Sequence, residues 1–296
     1  MKSKRSMIGA ILLVGLVGLS GDLVRAQPAP CPVLDRDCKI AEYTTIISRN
    51  PKDADAYLAR GFLYEMKGDY PRAISDITEF ISATADKGGL LANAYTQRAA
   101  CYRLSYFYDK AILDYTNAID LDPKNARLFY SRGALFTAIG NYEKAIMDFT
   151  SALGLDPKDS ETVNYRGNAY LWKKDRKKAF IDFNRAIELD PNNGNAYFNR
   201  AYEYDDRKEW VKAIGDYDKF IELNSRYVWT LPPAYKNRGL AYFNLKKNDL
   251  ALADITMAIR LAPTDPNYYK TRAYFYRQLH QDALADADEK QAASFK

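Results

Sequence analysis

Histidine occurs once in this chain of 296 residues, at His280 within "RQLHQDA". A Ser-His or Cys-His nucleophilic pair therefore has one candidate base, and that base lies in a stretch that reads as a solvent-exposed turn. Cysteine is nearly as scarce, with Cys31, Cys38 and Cys101. Cys31 and Cys38, without neighbouring histidines, make half a zinc site. Cys101, inside an apolar helical stretch, reads as a small buried hydrophobe. No glycine-rich phosphate loop, HExxH or paired-cysteine site appears. The expectation is no metal, no cofactor and no catalysis. Glycine is low at 15 residues, which argues against a loop-rich fold.

Long apolar runs are also missing. The longest, "MIGAILLVGLVGL" from Met7 to Leu19, follows the basic Lys2, Lys4 and Arg5. It is short of the ~20 residues that span a bilayer. With "VRA" at residues 24 to 26, the pattern is a signal peptide over residues 1–26, cleaved between Ala26 and Gln27; an uncleaved anchor is the alternative. No lipoprotein-like stretch precedes a cysteine. The expected location is the periplasm or the exterior of a bacterial-type cell, with no stable membrane span after cleavage. Removing the segment leaves 39 basic against 37 acidic residues where the whole chain has a net charge of +5. Without a clustered basic excess, nucleic-acid binding is not expected. In an oxidising compartment Cys31 and Cys38 are expected to form a disulfide.

What the chain has in abundance is repetition. "YDKAILDYTNAIDLDP" at residues 108 to 123 returns as "YEKAIMDFTSALGLDP" at 142 to 157 and "RKKAFIDFNRAIELDP" at 176 to 191. An Arg-Gly or Arg-Ala dipeptide marks each unit, at Arg60, Arg98, Arg132, Arg166, Arg200, Arg238 and Arg272, spaced 38, 34, 34, 34, 38 and 34 residues apart. Bulky residues three before and four after each arginine share one helical face. The small residue after it lets a second helix approach. Gly68 and Gly140 mark turns, and Pro123, Pro157, Pro191 and Pro263 stop the second helix. Eleven of the 24 tyrosines fall in these two bulky slots. One unit cannot bury its own apolar face, so each completes its neighbour's core.

A helix-turn-helix unit of this length, with these aromatics, alanines and prolines, resembles the tetratricopeptide repeat. The resemblance covers about residues 54–296 in seven units: 54–87, 92–125, 126–159, 160–193, 194–227, 232–265 and 266–296. It implies an all-α, right-handed superhelical solenoid. Residues 27–53 form an N-terminal segment whose stretch 36–49 reads as a lone capping helix. Four-residue insertions near 86–89 and 228–233 are expected to divide the solenoid into blocks of one, four and two repeats.

Each arginine has a downstream aspartate that follows an alanine by three residues: Asp76, Asp114, Asp148, Asp182, Asp216 and Asp254 at 16 residues, and Asp286 at 14. Folding the unit at its turn brings the two together as a structural interhelical ion pair. The rival reading, an arginine ladder for anions, has no need of a matching aspartate.

Function lies in what does not repeat. Residues five, two and one before each arginine, and two after it, share the face opposite the packed one. In tetratricopeptide arrays the corresponding face lines a concave groove that receives extended peptides. Here it reads Leu58, Ala59, Phe62; Thr96, Gln97, Ala100; and Tyr130, Ser131, Ala134 in the first three units. It then changes to Asn164, Tyr165, Asn168; Phe198, Asn199, Tyr202; Lys236, Asn237, Leu240; and Lys270, Thr271, Tyr274. Asparagine matches the paired groups of a peptide backbone, and tyrosine adds rigid contact area. Asn199 and Asn237 resemble the groove asparagines of O-linked N-acetylglucosamine transferase repeats, with Tyr165 and Thr271 breaking the run. The two-carboxylate clamp of chaperone-tail binders is not assembled. The expected activity is a non-enzymatic scaffold of the cell envelope holding a partner protein or extended peptide. Glycan binding, a self-associating spacer and ordinary solvated groove residues are the alternatives.

Overall fold

The computed structural model describes residues 35–84 and 88–295. The expected signal segment, Cys31 and with it the expected Cys31–Cys38 bridge, and part of the first insertion lie outside the described residues. Among the described residues the chain is all-α, fifteen helices with one 3-10 turn, stacked as a solenoid.

Helix α1 (Arg36–Arg49) is followed by seven antiparallel pairs: α2 (Ala54–Met66) with α3 (Tyr70–Ala83), α4 (Gly89–Leu104) with α5 (Tyr108–Leu121), α6 (Ala126–Ala138) with α7 (Tyr142–Leu155), α8 (Ser160–Trp172) with α9 (Arg176–Leu189), α10 (Gly194–Asp206) with α11 (Trp210–Leu223), α12 (Pro232–Asn244) with α13 (Asn248–Leu261), and α14 (Pro266–Gln278) with α15 (Asp282–Ser294). Caps written in the sequence start many of them. Asp53, Asn125, Asp159, Asn193 and Asp265 each accept an amide of the first turn.

Each pair turns through one left-handed residue, eight after the repeat arginine. Gly68 and Gly140 fill it twice, as expected, and Tyr106, Lys174, Lys208, Lys246 and His280 fill the rest with φ of 58 to 69°. The next amide closes the turn, as where Asp175 N donates to Tyr170 O at 2.9 Å. His280 is thus an exposed turn residue.

Pairing is close because the residue after each arginine is small. A Cβ on Gly167 would stand 2.6 Å from Phe183 Cε1, and Phe183 is wholly buried, a burial that stabilises by roughly 1.5–3 kcal/mol. The alanines three before each paired aspartate, from Ala73 to Ala285, are all 0% exposed. Cys101 is a free, buried thiol pushed up to about 12 by desolvation, so it is protonated and unreactive at neutral pH.

Every repeat arginine makes a bidentate pair with an aspartate of its own second helix; Arg166 Nε and Nη2 both donate to Asp182 at 2.8 Å. In the last unit the partner is Asp288, at 2.8 Å, and not the expected Asp286. Asp288 keeps the 16-residue spacing and is buried. Asp286, two residues earlier, is turned about 200° round the helix and pairs with Arg277 at the surface. The remaining nitrogen crosses to the preceding repeat: Arg98 Nη1 donates to Thr78 Oγ1 at 2.9 Å, Arg200 Nη1 to Asn184 Oδ1 at 2.8 Å, Arg238 Nη1 to Asp218 Oδ1 at 2.5 Å. Arg60 uses Thr44 of α1 in the same way at 3.0 Å, so α1 stands where the second helix of a preceding unit would. Stacking continues across both insertions, with α3 against α4 and α11 against α12.

Candidate functional groove

The first helices of successive pairs touch one another, α6 with α8, α8 with α10, α10 with α12, and α12 with α14. They form the inner wall of the stack, and the side chains left facing away from the core line a groove. Its N-terminal stretch is a polar depression of about 710 Å³ bounded by Gln97, Arg103, Tyr115, Arg127 and Tyr130. Tyr130 packs edge-on against Tyr165 at 5.2 Å and donates its hydroxyl to Glu161 at 3.0 Å. Burial raises its phenol above the ordinary tyrosine value.

The central stretch is the apolar one. Asn168, Leu171, Trp172, Phe198, Asn199 and Tyr202 surround a cavity of about 670 Å³, with Lys174 and Arg176 at its margin. Phe198 is held from below by Tyr217 and Phe220 at 5.7 and 5.1 Å. Tyr202 and Trp172 stay exposed, at 50% and 63%, and Trp172 stacks on Tyr142 at 6.5 Å. Asn168, Phe198, Asn199 and Tyr202 were thus expected on one face and are brought together around one cavity.

The other expected residues are placed differently. Asn164 is only 3% exposed; its carbonyl accepts from the Asn199 amide at 2.9 Å, joining α8 to α10. It sits in the seam where these helices meet, so part of Asn199 is already committed inside the protein. Tyr165 is half-buried against Tyr130. Asn237 is half-buried. Lys236 is half-buried and Lys270 exposed, and neither carries an ion pair among the described residues. Tyr274, 51% exposed, packs on Phe243 at 5.8 Å.

The sequence reading passed over the residues five after each arginine, Glu65, Arg103, Thr137, Leu171, Asp205, Phe243 and Arg277; of these Glu65, Arg103 and Leu171 line depressions of the inner face, while Arg277 turns to the acids of α15. All seven stand one helical turn beyond the residue two after the arginine, so extending the same face by three positions would have found them. Two are carboxylates raised by desolvation, Glu65 and, to about 6, Asp205. The Gln97 side-chain amide faces Glu65 at 2.9 and 3.1 Å and donates to it once its oxygen and nitrogen are exchanged, the orientation that satisfies both groups. Asp205 accepts from the Tyr217 hydroxyl at 2.7 Å. A further acid, Glu203, is 1% exposed where other units carry apolar residues, and Arg176 of the preceding unit neutralises it at 3.2 Å.

Among the described residues no group of three or more His, Cys, Asp or Glu is placed to hold a metal ion, and no helix is long and apolar enough to cross a membrane. Models of the tetratricopeptide repeat match residues 42–75, 126–159, 160–193, 183–215 and 232–265, and one of the TPR repeat matches 108–139. Together they cover more than half of the chain. No curated protein sequence matches it. Solved structures do. A tetratricopeptide repeat protein from Parabacteroides merdae superposes with a TM-score of 0.65 at 23% identity, over 82% of this chain and 93% of its own. The protein pilF of Pseudomonas aeruginosa gives 0.61 at 20% identity over 77% and 99%. YrrB, a TPR protein with an unusual peptide-binding site, gives 0.50 at 22% identity over 62% and 92%. At these identities the likeness is one of fold.

Proposed function

The chain belongs to the tetratricopeptide repeat family, and from that premise we propose that it is an interaction scaffold whose inner groove takes an extended segment of a partner protein. The observation that carries this reading is the cavity between α8 and α10. A core-quality aromatic floor at Phe198 lies open beside the exposed rings of Trp172 and Tyr202 and the amide of Asn168. Exposed aromatics around a preformed apolar hollow, with a few polar groups at its edge, are the usual anatomy of a recognition site. The scaffold acts in the cell envelope or outside the cell, a placement supported by the basic and apolar segment at residues 1–26 and its "VRA" cleavage pattern.

A photocrosslinking residue at Tyr202, with a control at Glu143 on the outward α7, tests the reading in intact cells. The expected result is one discrete protein adduct at Tyr202 and none at Glu143. Equal labelling at both positions, or at neither, contradicts it. The exposed ring faces of Trp172 and Tyr202 next to amide groups also suit a sugar, and an adduct consisting of glycan would decide for that alternative. Recovery of the shortened chain from the soluble envelope or culture fraction tests the location.

A further inference from the structure

Helix α10 carries three acids in its last turn, and two of them are neutralised within the protein. Glu203 and Asp206 both pair with Arg176 of the preceding unit. Asp205 does not. It accepts one hydrogen bond, from the Tyr217 hydroxyl at 2.7 Å, and among the described residues no cation pairs with it. The donor that holds it is itself 0% exposed. Burial is the largest influence on the Asp205 carboxyl and pushes it up to about 6. Near neutral pH the group is therefore mostly ionised and poorly solvated at once. A carboxylate in this condition gains from any cation delivered to it, because the cost of desolvating the acid has already been met by the fold.

Its position decides which cation can arrive. Asp205 holds on α10 the position that Leu171 holds on α8, where it lines the central cavity, and that Glu65 holds on α2 beside the groove residue Gln97. One turn before it on α10 stands Tyr202, which closes that same cavity. By this register the uncompensated carboxylate stands one helical turn beyond the ring that closes the apolar hollow. Lys174 sits at the far margin of the hollow and Lys236 beside Asn237, neither ion-paired among the described residues, so a run of basic residues would meet repulsion on both sides.

We propose that this stretch of the groove recognises a partner segment in which a bulky apolar side chain adjoins a single lysine or arginine, the first filling the cavity closed by Tyr202 and the second pairing with Asp205. The proposal rests on the groove reading above and narrows it to one chemical class of partner.

The test is selection of short random peptides displayed on phage against the immobilised full chain, followed by affinity measurement. The expected peptides share an aromatic or large aliphatic residue next to one Lys or Arg. Replacing that basic residue by neutral, near-isosteric citrulline should weaken binding to the wild type by about tenfold or more. The Asp205→Asn variant should bind the parent peptide as weakly as the wild type binds the citrulline form, and should barely distinguish the two. Asn keeps the acceptor for Tyr217, and the citrulline comparison needs no variant protein at all. Peptides that depend on Tyr202, losing affinity with Tyr202→Ala, yet carry no basic residue or tolerate citrulline would overturn this inference and leave the groove reading standing. No selected peptide, or binding indifferent to Tyr202→Ala, would overturn both.

Discussion

At the scale of single residues, the arginine that marks each unit is a three-way clamp. Its Nε and Nη2 hold the aspartate across the pair, and its Nη1 reaches a hydroxyl, amide or carboxylate of the preceding unit. Hydrogen bonding to Asp182 holds the Arg166 guanidinium above its ordinary value. The two side chains are 23% and 7% exposed. Arg166→Ala would leave Asp182 buried without its counter-ion, a loss of about 3 kcal/mol that chemical denaturation should register at neutral pH. Asp205 works in the opposite sense. Its carboxyl is raised from the ordinary aspartate range to about 6, so between roughly pH 4 and 6 the folded chain holds a proton that the unfolded chain has released. By linkage, this group's contribution to stability falls as pH rises through that window and stays low above it. Asp205→Asn should therefore be more stable than the wild type at pH 8, by about 1–3 kcal/mol, with the advantage gone near pH 4. Paired melting curves across pH check it, and a constant difference would mean that Asp205 does not titrate there. A residue that weakens the fold at neutral pH is consistent with one kept for a partner.

At the scale of elements, the helices were legible because their periodicity is restated in every unit, and the turns only half so. The left-handed residue that ends each first helix is glycine in two turns and Tyr, Lys or His in the other five. A reader looking for glycine finds Gly68 and Gly140 and misses the shared geometry. Non-glycine residues carry a steric cost there of roughly 1–2 kcal/mol, part of which glycine returns through its unfolded-state entropy. Lys174→Gly and Lys246→Gly are each expected to raise stability by about 0.5 kcal/mol or more in denaturant titration, whereas Gly140→Lys should lower it. The ion-pair spacing was legible too, until the last unit. There the choice of Asp286 followed an Ala-x-x-Asp pattern that Ala285 and Asp288 also satisfy, and only the 16-residue constant separates the two. The inter-repeat reach of Nη1 was written in the sequence as Asp-x-Thr, Asp-x-Asn or, once, Asp-x-Asp. It stayed hidden because it joins different units. The same reason hid the Asn164–Asn199 bond: which groove asparagine remains free depends on how α10 stacks on α8, and that relation spans 35 residues.

At the scale of the whole molecule, stability is close to a sum over units and the interfaces between them, so the ends decide where the stack opens. Helix α1 closes the first end. Ile47 is buried, Ile40 packs with Tyr64 and Ala73, and Thr44 occupies the Nη1 site of Arg60. Without α1, the first pair would expose one apolar face and leave one guanidinium hydrogen bond to water, while pairs further along would keep both neighbours. A chain beginning at residue 50 is therefore expected to show faster amide exchange in α2 and α3, with little change from α8 to α11. Hydrogen exchange resolved by segment distinguishes this from a single cooperative unit, in which protection would fall everywhere together. The central groove lies on the repeats that such fraying reaches last. That position keeps Phe198, Tyr202 and Asp205 in fixed register while the ends open and close, and it lets the peptide-binding experiments be read separately from end stability.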